Sequence, residues 1–378
     1  MNDITELFQQ KDYSAEAFYL SRKFKDKKII VYGAGESFHY FKEIVIRKYG
    51  YLPAAIVDRK FRPGDCFEGI PAFHPDHYFP SDETLAAGIV VICLGRQSYY
   101  GQIADYMKSI GFKEIISLMD IYEIHNPFNI PPELDSEGFQ YFIKNKEKIE
   151  FAYKLFADDK SREVFYNCLK THMSRIPVQI PMDPREEQYT PSDITLRKGY
   201  SRYIYCGVSV GEMASVFSRI GKVKELVCFE PDPNQFGLTA AHLRENHHII
   251  ADRVTALPCA VYNRESVEEF IFSDTSFGSR IIPGGNHSVQ CVSIDNVIPD
   301  FDPTFISMDI EGTELYALYG AEKTLRKNRP DIAVCVYHSP AHLWEISDYL
   351  NSLDLGYNFY LRNYTSFVGE TVLYAVAS

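Results

Sequence analysis

The chain has 378 residues, 46% of them hydrophobic and 24% charged, which is an ordinary globular balance and long enough for two domains. Asp and Glu outnumber Lys and Arg by 51 to 39, and this net charge of −12 argues against binding to nucleic acid through its phosphates. Because no apolar run reaches the ~18–20 residues of a membrane helix and the polar N-terminus does not resemble a signal peptide, we expect no membrane span and a cytoplasmic protein.

Strands and helices alternate through the first third of the chain, after a short helical stretch at the N-terminus. The predicted strands are 29–32, 54–57, 88–94 and 113–118. Alternation of this kind predicts βαβ units around a parallel sheet, and therefore a small Rossmann-like domain.

The first of these strands leads into a glycine loop. Gly33 and Gly35 follow it, but Phe38 stands where the dinucleotide-binding pattern has its third glycine. The second strand ends at Asp58, which could hold a ribose. A nucleotide or nucleotide-sugar site and a ligand-free domain used for docking or dimerisation both remain open, so a homodimer is possible.

Two proline-rich stretches, 125–134 and 177–193, flank a charged helical stretch and mark boundaries. We therefore predict three segments. Residues 1–125 form the N-terminal helix and small Rossmann-like domain, 126–190 a helical and proline-rich connector, and 191–378 a second domain.

A second, longer alternation begins at residue 201. Its predicted strands are 203–206, 226–229, 256–261, 269–272, 289–294, 305–308, 332–337, 357–361 and 371–377. The last two follow one another closely, which predicts an antiparallel hairpin at the edge of a mostly parallel sheet. This is the seven-stranded plan of class I S-adenosylmethionine-dependent methyltransferases, so the predicted fold class is α/β with two Rossmann-like domains.

The strand at 203–206 leads into another glycine loop. Gly207 permits the tight turn there, and Gly211 allows close approach of a ligand and of the following helix. The next strand ends in Glu230, at a spacing that suits hydrogen bonds to both hydroxyl groups of a ribose. The alternative is that Glu230 is a solvated residue at the end of a strand.

Carboxylates also follow the strand at 305–308. Asp309 and Glu311 lie where open α/β sheets bind ligands, and they suggest a proton acceptor, a metal ligand or a hydroxyl-binding pair. His338 follows the next strand and is either a second base or a turn residue bonded to the backbone. Glu314 is interpreted as a residue of the first helical turn, where the helix dipole favours an acid.

Four segments together resemble the FkbM-type S-adenosylmethionine-dependent methyltransferases, in particular the branch found in glycan and polysaccharide biosynthesis. They are FEPDP (229–233), MDIEGTEL (308–315), LYGAE (318–322) and the tail 333–376. The resemblance covers about residues 187–378 and implies O-methylation of a sugar or nucleotide-sugar hydroxyl. The N-terminal block, with EGIPAFHPDHY at 68–78, is similar to a small domain often fused ahead of such enzymes.

The resemblance implies roles for individual residues. Gly207 and Gly211 would shape the methionine pocket, Glu230 would hold the ribose, and Asp309 and Glu311 would face the reacting centre. SFGSR at 276–280 corresponds to a Gly-Ser turn near the family's active site. The predicted catalytic residues are Asp309, Glu311 and His338, the predicted cofactor-binding residues are Tyr205, Gly207, Gly211, Glu230 and Asp309, and a divalent metal is possible but not predicted.

One position departs from the family pattern. The aspartate expected two residues before the first loop glycine is Tyr205, which is neutral at pH 7 because the pKa of tyrosine is about 10. Glu212 is a nearby acid that could partly replace that charge. The leading hypothesis is a sugar O-methyltransferase, and the alternative is a catalytically degenerate binding or scaffold protein. A nucleotide-sugar oxidoreductase or epimerase is a third, disfavoured by Phe38.

Eight cysteines are spread along the chain without any Cys-x-x-Cys spacing, so a zinc site is not expected. Five of them lie in short apolar runs. We expect buried, reduced thiols that pack as small hydrophobic side chains.

Overall fold

The structure is a computed structural model, described here for residues 3–9, 23–35, 37–47, 49–94, 99–118, 121, 139–174, 178–272, 279–365 and 368–377. The strands of these residues are β1 Lys28–Tyr32, β2 Ala55–Val57, β3 Cys66–Phe67, β4 Ile70–Phe73, β5 Gly88–Ile92, β6 Glu114–Ser117, β7 Arg202–Cys206, β8 Val223–Phe229, β9 Ala251–Leu257, β10 Ala260–Val261, β11 Ser266–Ile271, β12 Arg280–Ile281, β13 His287–Val292, β14 Phe305–Met308, β15 Asp331–Cys335, β16 Asn358–Asn363 and β17 Thr371–Val376. The α-helices are α1 Glu6–Gln9, α2 Ser37–Phe41, α3 Asp82–Ala87, α4 Tyr100–Ile110, α5 Phe139–Lys144, α6 Lys146–Leu155, α7 Asp159–Ser174, α8 Val210–Ile220, α9 Pro233–Ile250, α10 Ile294–Val297, α11 Glu314–Tyr319, α12 Glu322–Asn328 and α13 His342–Ser352.

The chain divides into two compact units. The smaller unit comprises Lys11–Phe139 and Thr171–Pro177, and the larger comprises Met1–Gln10, Gln140–Lys170 and Val178–Ser378. The division of the chain into three segments at residues 125 and 190 stays a prediction. Most of α5, all of α6 and most of α7, which the sequence assigns to a connector, belong to the same compact unit as the C-terminal sheet.

The smaller unit contains a six-stranded sheet in the order β3-β4-β2-β1-β5-β6, parallel except at β3, which confirms the predicted Rossmann-like arrangement. Gly33 has a φ of 106°, and a Cβ there would lie 2.4 Å from the carbonyl oxygen of Cys93, so only glycine fits. Asp58 accepts a hydrogen bond of 2.8 Å from the backbone N–H of Ala34. Phe38 is buried and packs on other aromatic rings. A nucleotide site in this unit stays a prediction.

The larger unit contains a seven-stranded sheet in the order β16-β17-β15-β14-β7-β8-β9. Neighbouring strands are parallel except around β17, which runs antiparallel to both β15 and β16. The predicted mostly parallel sheet with an antiparallel edge hairpin is therefore confirmed. Its core is rich in buried tyrosine and aliphatic side chains.

The larger unit also contains a second sheet, which the sequence analysis did not distinguish from the first. Its four strands lie in the order β10-β13-β11-β12. The strand predicted at 256–261 is wrong in extent. β9 begins earlier, directly after α9, and ends at Leu257. Pro258, which has no backbone N–H, then separates β9 from β10. Among the described residues, no helix is both long and apolar enough to cross a membrane.

Thiol exposure gives a direct check of this packing. Cys66 in β3 is exposed, whereas the other seven cysteines are buried. Burial also raises the pKa of the thiols of Cys93 and Cys206 well above its usual value, which makes them poor nucleophiles. We expect one thiol per native chain to react promptly with a disulfide reagent, and all eight in denaturant. Prompt reaction of several thiols in native protein would contradict the packing.

Candidate functional site

A cavity of about 500 Å³ opens at the carboxyl ends of the strands of the seven-stranded sheet. It lies where the strand order reverses between β7 and β14, the place at which open α/β sheets bind ligands, and its size is that of a small-molecule site. Its lining includes five of the predicted site residues, namely Gly207, Gly211, Glu230, Asp309 and Glu311. Residues of β10–β12 close another side.

The surroundings of the two loop glycines differ. Gly207 has a φ of 78°, and a Cβ there would lie 1.8 Å from the carbonyl oxygen of Asp309, so the turn between β7 and α8 needs glycine. A Cβ on Gly211 would meet nothing within 4 Å. The chain therefore leaves open space at Gly211, on the cavity side of the loop.

Glu230 ends β8 and is only 8% exposed. One of its carboxylate oxygens accepts a hydrogen bond from the N–H of Val208 (3.1 Å) and the other from the N–H of Asp232 (2.8 Å). Burial raises its pKa to about 7, although these hydrogen bonds oppose the shift. Each oxygen keeps a lone pair for a ligand hydroxyl, so this is a bound, oriented carboxylate and not a solvated strand end.

Of the SFGSR segment, residues 276–278 lie outside the described residues. The hydroxyl of Ser279 donates to a carboxylate oxygen of Asp232 (2.8 Å), and Arg280 lines the cavity.

Asp309 directly follows β14 and lines the cavity. Tyr189 donates a hydrogen bond to Oδ2 (3.2 Å), and Tyr337 donates to the same carboxylate (3.3 Å to Oδ1). Burial raises the pKa of Asp309 to about 7, against the lowering effect of the charge on His338. At neutral pH this carboxylate can therefore exchange a proton.

The turn after Asp309 is held by a residue whose role the sequence did not reveal. Glu311 and Gly312 have φ values of 57° and 105°, a conformation that is unfavourable for glutamate. Glu314 is completely buried and accepts hydrogen bonds from the N–H groups of Ile310 (3.0 Å) and Gly312 (3.3 Å). It is thus more than a first-turn acid, because it fixes the turn that carries Glu311.

His338 is buried among three of these carboxylates. Its Nδ1 lies 2.8 Å from Glu314, and its Nε2 lies 3.4 Å from Asp309 and 3.5 Å from Glu311. Burial opposes a charge on the ring, but Glu314 and Glu311 outweigh it and raise the pKa of His338 to about 10. An imidazolium has no lone pair for another proton, so the geometry favours His338 as a positioning cation and Asp309 as the base.

Three of these side chains also meet a distance criterion for metal ligands. Asp309, Glu314 and His338 can each offer one atom within 4.8 Å of the others. The spacing alone admits a cation. A metal bound there would displace the proton from one ring nitrogen of His338, since a histidine ligates through a deprotonated nitrogen.

Tyr205 does not line the cavity. It is completely buried, stacks on Tyr203 with ring centroids 5.3 Å apart, and donates a hydrogen bond of 2.9 Å to Glu212. The carboxylate of Glu212 does line the cavity. The acidic group that the sequence lacks at position 205 therefore stands seven positions further along the chain, in α8, and is held by the tyrosine.

The remaining cavity residues that sequence reasoning missed come from segments without a motif. Arg185 donates to Glu370 (2.9 Å), and so does Gln188 (2.7 Å). Arg185 and Gln188 precede β7, and Glu370 precedes β17. Only the folded sheet brings these stretches together, since the residues are 182 and 185 positions apart.

Comparison with known proteins agrees with this geometry. Residues 205–359 match the family model described as the methyltransferase FkbM domain. Among solved structures, the chain is similar to a crystal structure of Methyltransferase FkbM from Methylobacillus flagellatus KT at 2.20 Å resolution, with a TM-score of 0.71 and 19% sequence identity over 98% of this chain and 97% of that chain. At this identity the likeness shows the fold. No curated protein matches the chain.

Proposed function

Residues 205–359 carry an FkbM-type methyltransferase domain, and on that premise we propose that the protein is an S-adenosylmethionine-dependent O-methyltransferase acting on a sugar hydroxyl. The observation that carries the proposal is one cavity in which three strand ends meet. They contribute the Gly207 turn, the oriented carboxylate of Glu230 and the titratable carboxylate of Asp309. A nucleoside-binding edge and a proton acceptor thus face the same space.

The cavity fits the cofactor in chemistry. The buried carboxylate of Glu230 is oriented by two backbone N–H groups and would hold the ribose hydroxyls. The open space at Gly211 leaves room beside the loop. When bound, S-adenosylmethionine supplies an electrophilic methyl group on a positively charged sulfur.

The chain itself supplies the proton acceptor. Asp309 would accept the proton of the acceptor hydroxyl, and Tyr189 and Tyr337 keep its carboxylate in place. His338, which is held by Glu314, places a positive charge beside that carboxylate. Positioning of the two reactants supplies the larger share of such a rate enhancement, and a general base adds about 10²–10⁴-fold.

The charge of the cavity favours a neutral sugar over a nucleotide sugar as acceptor. Among the described residues, its lining holds the carboxylates of Glu186, Glu212, Glu230, Asp232, Asp309, Glu311 and Glu370, but only the guanidinium groups of Arg185 and Arg280. A diphosphate would be repelled by this excess of negative charge. Carboxylates accept hydrogen bonds readily from sugar hydroxyls.

Calorimetric titration with S-adenosylhomocysteine tests the cofactor site. We expect binding to the purified protein, and about 10- to 100-fold weaker binding to Glu230→Ala, because a hydrogen bond to a charged group contributes about 1.5–3 kcal/mol. Glu245→Ala, at an exposed position of α9, serves as control and should bind like the unmodified protein. Absence of binding by folded, unmodified protein would refute the proposal and favour the degenerate scaffold suggested by Tyr205.

A further inference from the structure

The cavity has two chemically different ends. The end near β8 contains Glu230 and Asp232, where the proposed function places the ribose. The opposite end, toward β14 and β17, contains Glu212, Arg185 and Glu370. A cofactor whose ribose binds at Glu230 and whose sulfur faces Asp309 therefore extends its amino-acid end toward Glu212 and Arg185.

Glu212 is presented to the cavity by the protein core. Its Oε2 accepts the 2.9 Å hydrogen bond from Tyr205, and this tyrosine is fixed between the rings of Tyr203 and Tyr189. Since a hydroxyl of tyrosine donates only one hydrogen bond, it leaves the other oxygen of Glu212 for a ligand. The carboxylate is thus oriented before any ligand binds.

Arg185 supplies the opposite charge at the same end. Its guanidinium is paired with Glu370, which also accepts a hydrogen bond from Gln188. A guanidinium has five N–H donors in a fixed plane, so one pairing leaves donors for a carboxylate of a ligand. Arg185 and Glu212 line the same cavity, and the positive charge of Arg185 lowers the pKa of Glu212.

We propose that Glu212 and Arg185 bind the ammonium and the carboxylate groups, respectively, at the amino-acid end of the cofactor. The inference rests on the proposed function, because it assumes that the cavity holds S-adenosylmethionine. It explains how the chain retains an acidic group for the cofactor although position 205 is a tyrosine. In this reading, Tyr205 is a positioning residue for Glu212.

The surroundings of Glu212 suit a cationic ligand group. Burial, and then the charges of Asp309 and Glu370, raise the pKa of Glu212 well above its usual value, whereas the hydrogen bond from Tyr205 and the charge of Arg185 lower it. An ammonium group beside it favours the ionised form and lowers this pKa again.

The test compares three ligands on the unmodified protein by calorimetry: S-adenosylhomocysteine, its analogue without the amino group and its analogue without the carboxyl group. We expect each analogue to bind at least ~10-fold more weakly than S-adenosylhomocysteine, since each lacks one charged partner. Equal affinity for all three would overturn the inference while leaving the proposed function intact. If none of the three binds, the proposed function fails together with it.

Variants test which residue binds the amino group of the ligand and which binds its carboxyl group. Glu212→Gln should lose the preference for the amino group and keep the preference for the carboxyl group, and Arg185→Gln should do the reverse. Tyr205→Phe keeps both Glu212 and Arg185 and should weaken the binding of S-adenosylhomocysteine only a few-fold. A Glu212→Gln protein that still prefers the amino group would refute the assignment.

Discussion

Replacement of Asp309 by asparagine is expected to lower kcat of methyl transfer by about 10²–10⁴-fold, the usual contribution of a general base. The amide preserves the size of the side chain and its position between Tyr189 and Tyr337, but it cannot take up the proton of the acceptor hydroxyl. We expect the affinity for S-adenosylhomocysteine to change far less than kcat. The measurement is a transfer assay with a panel of neutral sugars, together with calorimetry.

The pH profile distinguishes a base from a residue that merely shapes the cavity. Because the pKa of Asp309 is raised to about 7, kcat/KM should fall as the pH drops below that value, as the carboxylate becomes protonated. Tyr189→Phe and Tyr337→Phe each remove a hydrogen bond that stabilises the ionised form, so they should move this limb to higher pH. If Asp309→Asn retains both the rate and the limb, another group is the base.

The positions of the site residues could be predicted from the sequence where they follow strands directly. Gly207, Glu230 and Asp309 each lie at the end of an apolar run that predicts a strand. Because the carboxyl ends of parallel strands lie at one edge of a sheet, these three residues meet in one cavity. What each residue does there depends on neighbours from distant segments. Glu314 looks like an ordinary helix-start acid in the sequence, yet folding buries it against His338.

Tyr205 shows the same limit in another way. Its place in the motif predicts a missing charge, but a sequence pattern cannot show that the side chain points into the core. The structure also shows that restoring an acid at position 205 would not be a clean test of cofactor binding. A Tyr205→Asp variant would bury a carboxylate beside Glu212 and between tyrosine rings, so its loss of stability would obscure any gain in cofactor binding.

Arg362 is expected to be a costly charge to remove from the larger unit. It lies in β16, at the edge of the seven-stranded sheet, and its side chain is only 2% exposed. Its guanidinium donates to Asp158 (2.7 Å) before α7, to Asp193 (3.0 Å) and to the hydroxyl of Ser161 (3.0 Å). These contacts attach the helical segment and the proline-rich stretch to a strand edge that would otherwise expose unpaired backbone groups.

Removing Arg362 breaks its hydrogen bonds to charged groups but leaves Asp193 paired with Lys160 and Asp158 bonded to Ser161, so the expected cost is about 1.5–3 kcal/mol. We therefore expect Arg362→Ala to lower the free energy of unfolding by that amount. Arg264→Ala, which removes an exposed pair with Glu268, should cost less than about 1 kcal/mol. Urea unfolding followed by the fluorescence of Trp344, the single and completely buried tryptophan of this unit, measures both. Equal midpoints for the two variants would mean that the helical segment is held to the sheet by apolar packing, and not by Arg362.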